Sequence, residues 1–294
     1  QILAVTADDI DFSGNLTLHK DPSVIVSQLT SSRFPSHAGR DKYFGYGRVN
    51  ADRAVREISA TTIPPEADIV APGWFHNLDP TVTPAVAITG SVAAYRRAQS
   101  YTYVVEYGCG VDPLEAEFQR GGHVIASGAP GVALENALLA TWAIGGVSAD
   151  CAFNAIVLPV SDRDQFDEIF NVTIRVQVTD DLGNVGEDRK VVSVHHDPDV
   201  AAGFPLYFDA SGESSPTLAD LDGDGTLELV IATADGRVHA LDGGGAELPG
   251  WPVTTNLDVL HTGSAGFVSA AVSSQVHESI LSSVAVGDLD RDGT

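Results

Sequence analysis

Three patterns of apolar and polar positions follow one another along the chain. The first, residues 1–60, reads as mixed helix and loop. Within Val49-Asn-Ala-Asp-Arg-Ala-Val-Arg-Glu-Ile58, Ala51, Ala54, Val55 and Ile58 fall on one stripe, which predicts a helix. Asn50 is placed to cap it by accepting a first-turn amide, and Gly45-Tyr-Gly47 supplies the turn before it. Two prolines in Thr61-Thr-Ile-Pro-Pro65 cannot continue a helix and mark a boundary. Beyond it the period falls to two. Val82, Pro84, Val86 and Ile88 alternate with smaller or more polar residues, and so do Tyr101, Tyr103, Val105 and Tyr107. In Asn171-Val-Thr-Ile-Arg-Val-Gln-Val178 the residues Val172, Ile174, Val176 and Val178 share one face, as in a strand with one side buried. Asp180-Asp-Leu-Gly-Asn184 reads as a turn and Val191-Val-Ser-Val194 as the returning strand, while Ala133 to Ala143 fits either a helix or a loop-rich insertion. After a linker at His195-His-Asp-Pro-Asp199, short runs apolar on both faces lie between Gly- and Asp-rich turns: Glu228-Leu-Val-Ile-Ala232 and Arg237-Val-His-Ala-Leu241.

These patterns predict a mainly β chain. Residues 61–198 read as an immunoglobulin-like β-sandwich. Residues 199–294 read as partial β-propeller blades, one blade and the start of the next. The 44% of hydrophobic residues suffices for packed cores.

Charge changes the picture most. Forty acidic residues against 16 basic ones give a net charge of -24, which repels phosphate backbones and anionic lipids and so argues against nucleic acid and membrane surfaces as partners. The same excess favours divalent cations. No apolar run reaches 18 residues, so no membrane-spanning helix is expected. The chain contains no Met, opens without a basic-then-apolar leader, and stops at Asp292-Gly-Thr294 inside a motif that is complete earlier. Both ends are therefore expected to be cut from a longer chain.

That motif is Asp220-Leu-Asp222-Gly-Asp224-Gly-Thr226-Leu-Glu228. Calcium takes six to eight hard oxygens, and alternate Asp residues in a tight loop can point theirs inward. Asp220, Asp222, Asp224 and Glu228 are the expected carboxylate ligands, with the Thr226 carbonyl as a neutral one. Without a cation such a group repels itself, so calcium is expected to order the loop. An EF-hand needs its bidentate carboxylate at position 12, which here is Ile231; the last acid falls instead at position 9 and opens a strand. A second copy, Ser282-Ser-Val-Ala-Val-Gly-Asp-Leu-Asp-Arg-Asp-Gly-Thr294, aligns with residues 214–226 at an offset of 68 and adds Asp288, Asp290 and Asp292 as an incomplete ligand set. The loop, its repeat, and the continuation through Ala234-Asp-Gly-Arg-Val-His-Ala-Leu-Asp242 and Leu248-Pro-Gly-Trp-Pro252 resemble FG-GAP (VCBS-type) propeller repeats such as those of integrin α-chains.

A second resemblance lies at the start. Ile2-Leu-Ala-Val-Thr-Ala-Asp8, followed by Gly45-Tyr-Gly-Arg-Val-Asn-Ala-Asp-Arg-Ala-Val55, resembles the α/β C-terminal end of a subtilisin-like (S8) catalytic domain over about 60 residues. The resemblance implies a secreted or cell-surface serine endopeptidase acting on protein or peptide substrates. In that reading residues 61–198 act as a spacer, and the repeats recognise a protein or glycan ligand. Gly-Thr-Ser is absent from the chain, so the nucleophile that the family requires would lie upstream of Gln1 and this chain would be inactive alone. His19, His37, His195 and His196 are then solvated loop or linker residues rather than a general base. The competing expectation is a non-enzymatic, calcium-dependent adhesion protein.

Cys109 and Cys151 leave two readings, one disulfide closing a loop of about 40 residues or two buried thiols. Asn15-Leu-Thr17 and Asn171-Val-Thr173 match the glycosylation sequon.

Overall fold

The computed structural model describes residues 1–10, 36–57, 59, 61–94, 100–152, 169–208, 210–270, 272 and 274–288. It is mainly β and divides into two compact units, Gln1–Asp197 and Pro198–Thr294.

Among its described residues the first unit holds eight strands: β1 (Glu66–Ala71), β2 (Asn77–Leu78), β3 (Ala85–Ala93), β4 (Tyr101–Cys109), β5 (Val124–Gly128), β6 (Leu134–Ala143), β7 (Asn171–Asp180) and β8 (Val185–Val194). Strands β1-β3-β6 form one antiparallel sheet, and β2-β8-β7-β4-β5 form the other, antiparallel except where β2 joins β8. Both sheets contribute to a single core. Ile69, Ile88, Val92 and Trp142 come from the first sheet, and Val105, Val172, Ile174, Val176 and Val178 from the second. Period-two patterning puts these residues on inward faces, and their burial from water is what joins the layers. The turn at 180–184 forms because the Asp180 carboxylate accepts the amides of Leu182 and Asn184, at 3.0 and 2.8 Å, around Gly183 at φ 83°.

Several expectations change. Residues 133–143 are neither helix nor loop; nearly all of them form β6, which pairs with β3 and places Trp142 in the core. Val82 is exposed, ahead of β3 rather than in it. β7 is buried on both faces, not one: Thr173 is inaccessible and Arg175 is only 2% exposed. The reason is a polar roof over the outer face. Arg175 Nε donates to Glu106 at 2.7 Å and Nη2 to Glu115 at 3.0 Å, while its guanidinium lies 4.0 Å from the Phe118 ring. Thr173 donates to the Gly110 carbonyl at 2.8 Å inside a strand, so the Asn171 sequon is not a surface loop; Asn15 lies outside the described residues. Cys109 and Cys151 are joined by a disulfide.

The expected helix forms over Ala51–Glu57, with Asn50 Oδ1 accepting the Arg53 amide at 2.9 Å. Its stripe is covered only at Ala54. Val55 is 73% exposed, and Ile58 lies outside the described residues. The element packed most against this helix is the four-residue helix Ile2–Val5, too short to cover the whole stripe.

Segment 36–57 is held to the larger sheet by Tyr46, whose hydroxyl donates to Glu187 at 2.8 Å. Burial first, and then the neighbouring Glu187 carboxylate, pushes the Tyr46 hydroxyl well above its usual pKa. Burial and the Asp150 carboxylate push Tyr107 up to about 12. The folded protein thus holds these protons more tightly than the unfolded chain does. The resulting stability is complete below about pH 10, where a free tyrosine titrates, and declines as pH rises from there toward 12. The urea midpoint is expected to fall over pH 10–12, and Tyr107→Phe is expected to flatten that fall; an unchanged slope would remove the assignment.

The second unit is built on an antiparallel sheet ordered β12-β11-β10-β9, with β9 (Thr217–Ala219), β10 (Glu228–Ala232), β11 (Arg237–Leu241) and β12 (Val253–Thr254). Val230, Ala232, Ala240 and Leu241 are buried, but Leu229 and Ile231 on the opposite side of β10 are only half covered.

Candidate metal centre

The acidic loop runs from the end of β9 to the first residue of β10. Two glycines at positive φ, Gly223 (77°) and Gly225 (87°), turn the backbone back on itself, a conformation that side chains bearing Cβ rarely adopt. The turn is fastened by its own acids. Asp220 accepts the amides of Gly223 (2.8 Å) and Gly225 (3.1 Å), and Asp222 accepts that of Asp224 (3.1 Å). Glu228, 2% exposed, accepts the Leu221 amide at 2.7 Å through Oε2.

The consequence is convergence. Oxygens of Asp220, Asp222 and Glu228 all lie within 4.8 Å of one another, close enough to share one ion. These are hard carboxylate donors of the kind that calcium takes. Asp224 does not join them. Its carboxylate accepts both the amide and the hydroxyl of Thr226, and these bonds hold its pKa below the ordinary carboxylate value. The Thr226 hydroxyl thus engages Oδ1 of Asp224 and is also 3.5 Å from Glu228. Of the second copy, Asp288 is exposed, and Asp290 and Asp292 lie outside the described residues.

The two copies meet at the repeat offset. The Ser215 amide donates to the Ser283 hydroxyl at 3.0 Å, between residues 68 apart, and the Thr217 hydroxyl donates to the Val284 carbonyl at 2.8 Å.

Sequence reasoning missed a second polar cluster beside the disulfide. Asp150 Oδ2 accepts from Arg120 Nη2 (2.7 Å) and Tyr107 (2.9 Å) and lies 2.8 Å from His123 Nε2. Burial raises the Asp150 pKa, but these hydrogen bonds outweigh it and leave the group low. Both cysteine sulfurs are oxidised, so the acids and His123 near Cys109 have no thiolate to complete a metal site. The signal for this cluster is dispersed over β4, the loop before β5 and the short helix Val147–Asp150. No local spacing reveals it.

The histidines are less free than a linker or loop setting suggests. His195 stacks on Phe170 at 3.7 Å, His196 lies 2.8 Å from Asp79, and His37 is 3.3 Å from Asp112; His19 lies outside the described residues.

The two strings of the N-terminal segment, 40 residues apart, are brought together. Asp8 and Arg48 exchange backbone hydrogen bonds of 2.8 and 2.9 Å, and Asn50 donates to the Asp8 carboxylate at 3.0 Å. Gly47, at φ 103°, sits where a Cβ would run into the Asp8 carbonyl, so this junction requires glycine. Among the described residues no helix is long and apolar enough to cross a membrane.

No family model matches this chain, and no curated protein matches it. Among solved structures, the SGBP-B protein of the Bacteroides ovatus mixed-linkage glucan utilization locus, in complex with a mixed-linkage heptasaccharide, aligns with 62% of this chain at 13% identity. The alignment spans about half, 47%, of that protein's chain, and its TM-score of 0.17 is too low to bear on fold or ligand.

Proposed function

We propose that this chain is an accessory portion of an exported subtilisin-like serine endopeptidase whose second unit binds calcium. The observation that carries the calcium reading is the meeting of Asp220, Asp222 and the buried Glu228 in one turn. Bringing three carboxylates together is unfavourable, and a divalent cation offsets the repulsion. Asp220, Asp222 and Glu228 would hold the ion, and Asp224 Oδ2, water or backbone oxygens would complete its shell.

The finer architecture belongs to this reading. Two sheets about one core suit an immunoglobulin-like sandwich, and a four-stranded antiparallel sheet suits one FG-GAP-type blade. The contact between residues 215 and 283 is what neighbouring blades require, and half-covered Leu229 and Ile231 suit a strand that packs against another blade. The peptidase reading rests on the resemblance of residues 1–60. It is supported by the junction of Asp8 with Arg48 and Asn50, and by exposed Leu3, Val5, Val49 and Val55, which suit a segment that packs against a larger domain. A disulfide suits an exported protein.

Calcium at about 100 times its dissociation constant is expected to stabilise the second unit by about 2.7 kcal/mol. Thermal melts with calcium and with chelator check this, and Asp222→Ala is expected to abolish the difference. Equal melts for the unaltered chain would remove the metal. The peptidase assignment has its own check: the 40–60 or so residues encoded upstream are expected to contain Gly-Thr-Ser-x-Ala-x-Pro.

A further inference from the structure

The first unit contains a pocket of about 540 Å³, within the range of small-ligand sites, between segment 36–46 and the larger sheet. Its walls carry three aromatic rings (Tyr43, Trp74, Phe75), two cations (Arg40, Lys42) and the amide of Asn171, with two valines. None of its eight described lining residues is acidic, in a chain with 40 acidic residues.

Two features point to an occupant. Trp74 and Phe75 are 47% and 68% exposed, side by side with centroids 5.7 Å apart, and Phe75 sits at φ 58°, a conformation that a bulky residue rarely adopts. Arg40 Nη1 is buried and has no hydrogen-bond partner among the described residues, although a guanidinium in such a place calls for an anion.

We propose that this pocket binds a carboxylated sugar residue of an acidic glycan. The Trp74 and Phe75 rings offer flat apolar faces to the C–H side of a pyranose, and the Arg40 guanidinium takes the carboxylate, with Lys42 and Asn171 on the same wall. An acidic peptide fits less well. Peptides dock on open backbone, and here the Phe75 amide already donates to the Val191 carbonyl at 2.7 Å, leaving side chains as the polar handles.

The test is calorimetric titration of the full chain with tetragalacturonate, run in chelator so that the result is independent of the acidic loop. Cellotetraose and a tetraglutamate peptide serve as comparisons. Binding of tetragalacturonate at least about tenfold tighter than either is expected. Trp74→Ala and Arg40→Ala, each checked for unchanged circular dichroism, are expected to weaken it by about tenfold or more. Should one variant unfold, the other decides. No binding of tetragalacturonate, equal binding of cellotetraose, preference for the peptide, or affinity unmoved by a folded variant would each overturn the assignment.

Discussion

Arg175→Ala is expected to destabilise the first unit by about 3–5 kcal/mol. Arg175 stands in register with Glu106 on β4 and Arg189 on β8, under the Phe118 ring, and only 2% of it is exposed. Removing it leaves Glu106, itself 5% exposed, charged and without its partner in a place that water does not reach. The paired change Arg175→Met with Glu106→Leu is expected to recover most of the loss, because apolar residues of similar volume tolerate that burial. Glu115→Gln marks the other limit. Glu115 bonds Arg175 from a half-exposed position, and losing its charge is expected to cost at most about 1 kcal/mol. Urea denaturation of the three variants checks this ordering. An Arg175→Ala loss under about 1 kcal/mol would mean that water enters beneath Phe118.

Reduction of Cys109–Cys151 is expected to cost about 4 kcal/mol, the loop-closure entropy for cysteines 42 positions apart. The bond closes the loop that carries β5, β6 and Trp142, so its loss frees the chain between β4 and the short helix Val147–Asp150. The Asp150 cluster with Tyr107, Arg120 and His123 holds the same ends together, and it is expected to keep the reduced unit folded near neutral pH. Denaturation with and without a phosphine reductant measures the difference. A calcium-dependent transition from the second unit should not move with it.

Periodicity located the strands well where a residue's surroundings depend on sequence neighbours alone. Glu228–Ala232 and Arg237–Leu241 are strands over those very residues, and the turn at 180–184 follows from the bonding of Asp180. It failed where partners come from afar. β6 carries Leu138, Leu139 and Ala140 in succession, a run that suits a helix as well as a strand, and pairing with β3 decides between them. Burial of Arg175 depends on Phe118 and Glu115 from another part of the chain, which no alternation within β7 can encode. In the acidic loop, spacing identified Asp220, Asp222 and Glu228 together. It could not foresee that Thr226 would turn its hydroxyl on Asp224 Oδ1, with Asp224 lying outside that group.

The contact between residues 215 and 283 bears on how the protein can be divided for expression. β9 is an outermost strand of its sheet, and its flank meets the following copy through Ser215 and Thr217. A product ending before residue 283 would bare that flank beside Leu218, already 61% exposed. Unpaired β backbone next to an apolar side chain is a template for self-association. Breakpoints placed beyond residue 284 avoid it, and material cut ahead of residue 283 is expected to precipitate even if every remaining strand forms.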